Sequence, residues 1–524
     1  MKKLTILLIV ALAVSIEAQA QRLNFGTPAL QKLQIAEMAI TELYVDTVNA
    51  DKLVESGIRG MLKDLDPHST YTTAKETKSL TEPLEGSFEG VGIQFNMAQD
   101  TLLVLQTVAN GPSEKVGIQA GDRVVSVNDT TIAGVKMSRE DIMRRLRGKK
   151  GSVVTLKILR RGIQDLLTFK VTRDKIPLKT IDATYMLRPE VGYIRIGSFG
   201  STTYDEFMNS VDSLKRLGMK DLVIDLQENG GGYLQSAVKI ANEFLQKNDL
   251  VVYTQGRTSS RQDFFADGKG KLLDGRVIVL VNEYTASAAE ILSGAIQDQD
   301  RGQIVGRRSF GKGLVQRPIE FPDGSMVRLT VAHYYTPSGR CIQKPYEKGD
   351  QQDYEQDIEK RFKKGELYSS DSIHFADSLK FQTLRLKKTV YGGGGIMPDY
   401  FVPLDTTQYT FYHRQLSAKG VIINQTIKYV DQNRKSLSKK YKTFSDFEKN
   451  FEVPEDLMQD LYKEGEKEKV KLKDEEERKQ SIPMLKNQLK ALIARDIWDM
   501  SEYFKIVNES SNIVKKAIEV LGKN

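Results

Sequence analysis

The chain has 524 residues, too many for one hydrophobic core, and at roughly 100–200 residues per domain three or four folding units are expected. Its 77 Lys and Arg residues exceed its 69 Asp and Glu residues by a formal charge of +8, which is small for this length. A nucleic-acid-binding protein would concentrate basic residues on one element, and such a run is missing outside the mixed-charge C-terminal part. We therefore expect a multidomain protein that does not bind nucleic acid.

The N-terminus has the features of an export signal. Lys2 and Lys3 precede an apolar run over residues 4–16, and Ala-Gln-Ala at 18–20 supplies a small-x-small ending. The run is shorter than the about 20 residues of a membrane span. We expect a signal peptide over residues 1–20 and a location in the periplasm or cell envelope. The alternative is an uncleaved anchor that would leave the protein associated with the membrane.

Apolar residues at helical spacing predict an N-terminal helical region over residues 26–84, in which the helices end at a turn, Asp66-Pro67-His68-Ser69. Over residues 85–176 the pattern changes to short strands around one helix, for which Ser138 is a good N-cap. This unit of about 90 residues suits a small, partly open barrel.

Strands alternate with helices over residues 177–404, which predicts a parallel sheet covered by helices. The buried strands are predicted at 221–226 and 277–281, and a helix is predicted at 288–298. Two alternating runs, 316–320 and 326–335, predict a hairpin. Residues 405–524 are helical in pattern, with a highly charged stretch at 462–480 that predicts a solvated helix or a flexible linker.

One candidate nucleophile lies where a buried strand turns into a helix. This is Ser287, in the run Asn-Glu-Tyr-Thr-Ala-Ser-Ala-Ala-Glu at 282–290. The amide of Ala288 points out of the N-terminus of that helix, where unpaired N–H groups and a partial positive charge suit a developing oxyanion. The alternative is that Ser287 or Thr285 only caps the helix.

A serine hydroxyl needs a base, and none of the four histidines lies in an obviously matching loop. Lys312 is the alternative base, in the run Ser-Phe-Gly-Lys-Gly-Leu-Val-Gln at 309–316. The apolar residues around it would desolvate the amine and lower its pKa, as a lysine base requires. Gln316 could orient the amine without adding a charge. The plain alternative is an ordinary loop lysine.

The only cysteine, Cys341, excludes an intramolecular disulfide. Its thiol lies beside Arg340 and could be a nucleophile, although a lone cysteine is more often passive.

Several motifs in order resemble the carboxyl-terminal processing proteases, or tail-specific proteases, of serine peptidase family S41. They are the stretch 281–316, Asp-Leu-Gln-Glu-Asn-Gly-Gly-Gly at 225–232, and Tyr-Tyr-Thr-Pro-Ser-Gly-Arg at 334–340, and the resemblance covers roughly residues 58–403. It implies an α/β fold with an αβα spiral core of the ClpP/crotonase-like type. It also implies that Ser287 is the nucleophile, Lys312 the base and Gln316 the residue that orients it, with Asp298 supporting the site.

The glycine turn at 229–232 follows a buried strand, where consecutive glycines allow positive φ angles and expose amides to a ligand. We expect Gly231 or Gly232 to complete an oxyanion hole with the amide of Ala288. The alternative is a plain tight turn.

The strand-rich unit resembles a PDZ domain inserted before the protease core. Gly90-Val91-Gly92-Ile93 is similar to the loop that binds the carboxylate of a peptide C-terminus, with the groove between residues 92–96 and 138–146. In the family such a domain can gate the active site, and Arg147 is a candidate contact that reports docking.

The expected function is that of a serine endopeptidase that selects exported proteins or peptides by their free C-terminal tails. The expected mechanism needs no metal and no organic cofactor. A homo-oligomer, an adaptor or an activating partner are further expectations. The alternative from another class is a catalytically silent scaffold that retains the PDZ domain and a retired protease core.

Overall fold

The computed structural model describes residues 27–98, 100–405, 407 and 409–523. The predicted signal peptide at 1–20 lies outside these residues. Within them, no helix combines the length and the apolar composition that a membrane crossing requires.

The N-terminal region is helical and ends in a strand that joins the body of the protein. Thr27 caps the first helix and a proline follows at its start, so its boundary is encoded locally. The apolar side chains of this helix are exposed. The elements are α1 Pro28–Leu43, α2 Ala50–Lys63, β1 Thr70–Thr72 and α3 Ala74–Glu85.

A five-stranded antiparallel sheet in the order β3-β4-β5-β7-β8 forms the predicted PDZ unit, with the short β6 on β5. The strands β2 and β9 pair with each other at its base, so the chain enters and leaves the unit at one place, as an inserted module requires. The elements are β2 Ser87–Gly90, β3 Ile93–Ala98, β4 Thr101–Thr107, α4 Pro112–Lys115, β5 Arg123–Val127, β6 Thr130–Thr131, α5 Arg139–Leu146, β7 Val153–Leu159, β8 Leu167–Thr172 and β9 Asp174–Pro177.

The central region is built around one six-stranded sheet in the order β10-β11-β12-β15-β16-β21, in which β21 is Tyr400–Phe401. The strands from β11 onward run parallel, and β10 is antiparallel to β11. The elements of this first part are β10 Ile181–Arg188, β11 Val191–Ile196, α6 Thr203–Arg216, β12 Asp221–Asp225, α7 Leu234–Asn242, β13 Leu250–Gln255, β14 Gln262–Phe265, β15 Val277–Val281, α8 Ala288–Asp298 and β16 Gln303–Gly306.

A second sheet, in the order β1-β18-β13-β14 with β17 on β18, joins the N-terminal region to the core. The predicted hairpin forms, and its first strand begins two residues earlier than expected. The remaining elements are β17 Leu314–Glu320, β18 Met326–Tyr335, α9 Gln351–Glu355, α10 Asp357–Lys363, two short 3-10 turns at Ser370–Ser372 and Asp377–Leu379, β19 Lys380–Gln382, β20 Thr389–Tyr391 and β21 Tyr400–Phe401.

Burial explains why the sequence of the core is so apolar. Every residue of β15 and of α8 is buried, because the strand lies inside the sheet and the helix is covered on all sides. A strand of a parallel sheet is buried on both faces and therefore reads as a continuous run of Val, Ile and Leu.

The C-terminal helical domain, residues 411–523, has a core of its own and packs on the protease body. The charged stretch 462–480 covers the end of one helix, a short connection and the beginning of the next. The last helix packs against β15 and β16. The helices are α11 Phe411–Ala418, α12 Val421–Lys440, α13 Phe444–Asn450, α14 Glu455–Lys467, α15 Glu475–Ile497, α16 Met500–Ser510 and α17 Asn512–Lys523.

The mixed α/β fold class predicted from the sequence, with an inserted PDZ unit and helical ends, is confirmed. The domain boundaries placed at residues 84, 176 and 404 stay predictions.

Candidate active site

Ser287 occupies a sharp turn between β15 and α8. Its φ of 58° and ψ of −117° are a conformation that residues with a side chain rarely adopt. The loop before it is held by Thr285, whose hydroxyl donates to the carbonyl of Leu226 at 2.8 Å and accepts from the backbone N–H of Asn282 at 2.9 Å. The buried strand, the constrained loop and the helix together keep Ser287 at the end of the sheet.

Glu290 ties the candidate nucleophile to the loop of the candidate base, and the sequence analysis gave it no role. One carboxylate oxygen accepts from the backbone N–H of Ser287 at 2.9 Å and of Lys312 at 2.9 Å. The other accepts from the hydroxyl of Ser309 at 2.5 Å and from the N–H of Gly311 at 2.8 Å. Burial raises the pKa of Glu290, and these four donors oppose that shift. A glutamate among the small and apolar residues of the first turn of this helix was the signal available in the sequence.

Tyr334 is a second tie between the same two segments. Its buried hydroxyl lies 3.1 Å from the carbonyl oxygen of Ser287 and also contacts the carbonyl oxygen of Lys312. Burial raises the pKa of this phenol well above its ordinary value, so the hydroxyl stays a donor.

Ser287 and Lys312 line one cavity of about 360 Å³. The pKa of Lys312 is lowered from 10.5 to about 8, mainly by burial and also by the positive charge of Arg328, whereas Glu290 and Asp66 oppose the shift. A lysine with a pKa near 8 has a neutral fraction near neutral pH, which is the form that accepts a proton. Other residues of the cavity wall are Ala288, Gly230, Gly232, Gln316 and Tyr334.

The turn that ends the N-terminal helices borders this site, which the sequence did not predict. Asp66 accepts from the hydroxyls of Ser69 at 2.5 Å and Thr330 at 2.8 Å, so it fixes the turn on β18. Burial lowers the pKa of His68 to about 3, with a further contribution from the charge of Lys312. The Nε2 atom of His68 lies 2.8 Å from the hydroxyl of Tyr354. This histidine is therefore neutral beside the lysine.

The two glycines proposed for the oxyanion hole differ in their surroundings. Gly231 is buried against the nucleophile: a Cβ atom on it would lie 2.7 Å from the Cβ of Ser287. Its N–H donates to the side chain of Asn229 at 2.8 Å. Gly232 is exposed and lies on the cavity wall, and within the described residues no protein acceptor is found for its N–H. Of the two, Gly232 is therefore the one on the cavity wall whose N–H is not engaged by a protein acceptor among the described residues.

The PDZ unit has a groove where the sequence analysis expected one. A cavity of about 500 Å³ is lined by Gly90, Val91, Gly92 and Ile93 and by the helix α5. Gly92 has a φ of 74°, which turns the loop so that its amides can face a carboxylate.

Comparison with known proteins separates the chain into recognised parts. Residues 190–356 match the model of peptidase family S41, and residues 103–160 match a PDZ domain. Residues 11–77 match the N-terminal domain of the activating protease CtpB, and residues 412–499 match a family of unknown function, DUF8443.

Two curated relatives come from Bacillus subtilis (strain 168). The carboxy-terminal processing protease CtpA is 34% identical over 350 residues, which are 65% of this chain and 74% of the relative. The carboxy-terminal processing protease CtpB is 34% identical over 333 residues, which are 63% of this chain and 69% of the relative. A solved structure, the photosystem II D1 C-terminal processing protease, is 29% identical, with 61% of this chain and 91% of that chain covered at a TM-score of 0.34.

This chain is a carboxy-terminal processing protease of peptidase family S41. It is a serine-type peptidase with a PDZ domain, as the sequence analysis predicted.

In this carboxy-terminal processing protease Gln316 lies on the wall of the same cavity as Lys312, at the start of β17. Its amide nitrogen lies 3.4 Å from the hydroxyl of Thr330, which in turn donates to Asp66. Gln316 therefore lies at the site, and its side chain contacts Thr330 on β18. Orientation of the lysine by Gln316 stays a prediction.

Asp298 lies at the opposite end of α8 from the nucleophile, about 15 Å along a helix of this length. Its carboxylate is fully buried and pairs with the guanidinium of Arg340 at 2.6 Å. It also accepts from the backbone N–H and the hydroxyl of Ser338, at 3.0 and 2.6 Å. Asp298 therefore fixes the loop after β18 on α8, at a distance from the reacting groups.

Arg147 connects the PDZ groove with helix α3 of the N-terminal region. Its guanidinium pairs with the buried carboxylate of Glu82 on α3 and lies 4.8 Å from the ring centroid of Phe88. Leu80 and Leu84, on the same helix as Glu82, line the cavity that also holds Ser287 and Lys312. The expected gating contact thus has a physical counterpart, and gating itself stays a prediction.

Cys341 is partly buried, and burial raises the pKa of its thiol. A raised pKa keeps the thiol protonated and poorly nucleophilic, which fits the passive alternative.

Proposed function

We propose that Ser287 and Lys312 form the catalytic dyad of this protease. The observation that carries the proposal is that both residues line one cavity in which burial holds the pKa of Lys312 at about 8. The hydroxyl oxygen of Ser287 attacks the peptide carbonyl carbon while neutral Lys312 takes its proton. Lys312 then gives that proton to the leaving amine. Water, deprotonated by Lys312 in the same way, attacks the acyl carbonyl carbon; the bond to the Ser287 oxygen breaks, and Lys312 returns the proton to that oxygen.

The oxyanion formed in this step is stabilised by backbone amides. We assign the donors to Ala288, at the N-terminus of α8, and to Gly232. Gly231 has a different task, because its N–H is already engaged by Asn229 and its lack of a side chain lets the glycine turn approach Ser287. The helix N-terminus adds a partial positive charge on the same side.

Substrates are proposed to be exported proteins or peptides with free C-terminal tails. The loop Gly90-Val91-Gly92-Ile93 would receive the terminal carboxylate while the tail pairs with β3 as an added strand. The Arg147–Glu82 pair would transmit occupancy to α3 and so to the catalytic cavity. The proposed location, the periplasm or cell envelope, rests on the N-terminal sequence pattern at residues 1–20.

A second copy is the proposed binding partner of α1. The helix buries none of its residues in the described chain, although Leu30, Leu33 and Met38 are apolar. Such a surface is costly to leave in water and favours association. Analytical ultracentrifugation of Leu33→Glu beside the parent tests it, and an unchanged mass distribution would contradict it.

The dyad is tested with Ser287→Ala and Lys312→Ala, assayed on an unstructured protein with an apolar C-terminus. We expect each variant to lose cleavage by at least about 10³-fold. The matched control is Lys348→Ala, an exposed lysine outside the cavity. Full cleavage by either dyad variant would overturn the mechanism, and a parent protein that binds tails but cleaves nothing would instead support the silent scaffold.

A further inference from the structure

The PDZ groove has a wall that the PDZ domain does not supply. Its cavity of about 500 Å³ is lined on one side by β3 and α5, including the apolar residues Ile93, Phe95 and Met143. Four residues of the C-terminal helical domain line the same cavity: Ile423, Arg495, Asp496 and Met500. They come from α12, from the end of α15 and from the start of α16.

The two domains meet through a hydrogen bond that caps a helix. The amide nitrogen of Gln106, on β4, donates to the carbonyl oxygens of Arg495 and Trp498, each at 3.1 Å. The last carbonyl groups of an α-helix have no partner within the helix. A PDZ side chain thus satisfies the end of α15 at the edge of the groove.

A second group of contacts fixes the PDZ domain against α12. Arg123 pairs with Asp431 at 2.7 Å, and both side chains are largely buried. Arg161 donates to the carbonyl oxygen of Asp431 at 3.1 Å, and Arg434 donates to that of Leu105 at 3.3 Å. These contacts lie on a different helix from the one that Gln106 caps, so the PDZ domain contacts two helices of the C-terminal domain.

The C-terminal domain is in turn anchored on the protease core. Ile513, Val514 and Ala517 of α17 are buried in one cluster with residues of β10, β11 and β15. The domain therefore bridges the core and the PDZ domain, and its groove-lining residues are held in place from both sides.

We propose that the C-terminal helical domain forms the second wall of the tail-binding groove and takes part in selecting the tail. The proposal rests on tail recognition by the PDZ domain, as proposed above. In an added strand successive side chains point to opposite sides. A peptide in this cavity meets α5 on the PDZ side and meets Ile423 and Met500 on the other. The favoured occupant is an extended C-terminal tail with apolar side chains on both sides, one side facing α5 and the other facing Ile423 and Met500.

The test measures binding of a fluorescent ten-residue peptide with a free C-terminus and apolar side chains on both sides of the extended strand. The protein is the full chain with Ser287→Ala, which keeps the peptide intact, and the readout is fluorescence anisotropy. Ile423→Glu and Met500→Glu alter the proposed wall, and Met143→Glu alters the PDZ side. The control is Phe411→Glu, an exposed apolar residue of the same domain that does not line the groove. Thermal melting of each variant verifies folding.

We expect each wall variant and Met143→Glu to weaken binding about tenfold, because a carboxylate is placed against an apolar tail, while Phe411→Glu changes nothing. We also expect Ile423→Glu to bind one altered peptide more tightly than the parent does. That peptide carries one lysine among the side chains that face Ile423 and Met500. A structural defect would weaken all peptides alike and would not produce this reversal.

Unchanged binding by both wall variants, together with weakened binding by Met143→Glu, would overturn the second wall and leave tail recognition intact. A parent protein that fails to bind the peptide, or that binds its C-terminally amidated form equally well, would overturn tail recognition and this proposal with it.

Discussion

The carboxylate of Glu290 accepts a hydrogen bond from the backbone N–H of Lys312 at 2.9 Å, so the helix that begins after Ser287 also positions the loop of Lys312. Because the same oxygen accepts the N–H of Ser287, one side chain sets the spacing of the two segments that carry the proposed dyad. The charge of Glu290 also acts on Lys312, whose pKa it raises.

Glu290→Gln is therefore expected to lower kcat by roughly 10²-fold or more, because an amide nitrogen would face N–H donors in a buried site. Loss of the negative charge is expected to move the acidic limb of the pH–rate profile to lower pH. The control is Glu283→Gln, whose carboxylate is also buried but pairs with Arg307. That variant should lose stability without moving the limb, and an unmoved limb in Glu290→Gln would contradict the electrostatic part of the argument.

Gly231 gives a second prediction, because its backbone lies so close to Ser287 that no side chain fits at position 231. A Cβ atom there would lie 2.7 Å from the Cβ of Ser287 and 2.9 Å from the amide nitrogen of Ala288, at a φ of 98°. Gly231→Ala is expected to reduce kcat/KM at least about 100-fold. At Gly218, outside the cavity and with a similar φ of 89°, a Cβ atom would meet nothing within 4 Å, so Gly218→Ala should keep kcat/KM close to that of the parent. Similar activity of both variants, at similar Tm, would refute the close-approach argument.

Local patterns were enough to predict β15, because burial on both faces makes its sequence continuously apolar, and to predict the helix α8 that follows it. The contacts that complete the site were not predictable in this way. Asp66 and Thr330 are 264 residues apart, and no local pattern indicates that they meet beside the lysine. The adjacent residues Gly231 and Gly232 cannot be told apart in the sequence. Only the course of the backbone shows that the N–H of Gly231 is bonded to Asn229 and that Gly232 lies on the cavity wall. Nor does any local pattern indicate that residues of the C-terminal domain line the PDZ groove, because they are far from the PDZ domain in the sequence.

The third prediction concerns the pH dependence of cleavage. Lys312 must be neutral to accept a proton, so the rate should rise with pH through about 8, the pKa that burial gives it. Arg328 is the charged neighbour that lowers this pKa, and Arg328→Gln should therefore move the acidic limb to higher pH. A shift of about half a unit would lower the rate at pH 7 roughly threefold. Arg317→Gln, on the exposed side of β17, is the control, and an acidic limb that stays in place in Arg328→Gln would sink the assignment of Lys312.

The last prediction uses stability instead of activity. Because burial lowers the pKa of Lys312 from 10.5 to about 8, the folded state disfavours the protonated amine that the unfolded chain carries. The cost is fully present below about pH 8, where both states are protonated. It declines as the pH rises from about 8 to 10.5, where the unfolded chain binds more protons than the folded one, and it vanishes above that window.

Lys312→Met removes this cost and should raise the free energy of unfolding at pH 7 by on the order of 2–3 kcal/mol. The gain should shrink steadily between pH 8 and pH 10.5. Urea unfolding of parent and variant at a series of pH values measures the difference directly. All other titratable groups are present in both proteins, so their contributions cancel. Lys348→Met, at an exposed position, should show no such trend. A gain that is independent of pH would mean that packing, and not the buried charge, separates the two proteins, and the amine of Lys312 would then lack the lowered pKa that its role as a base requires.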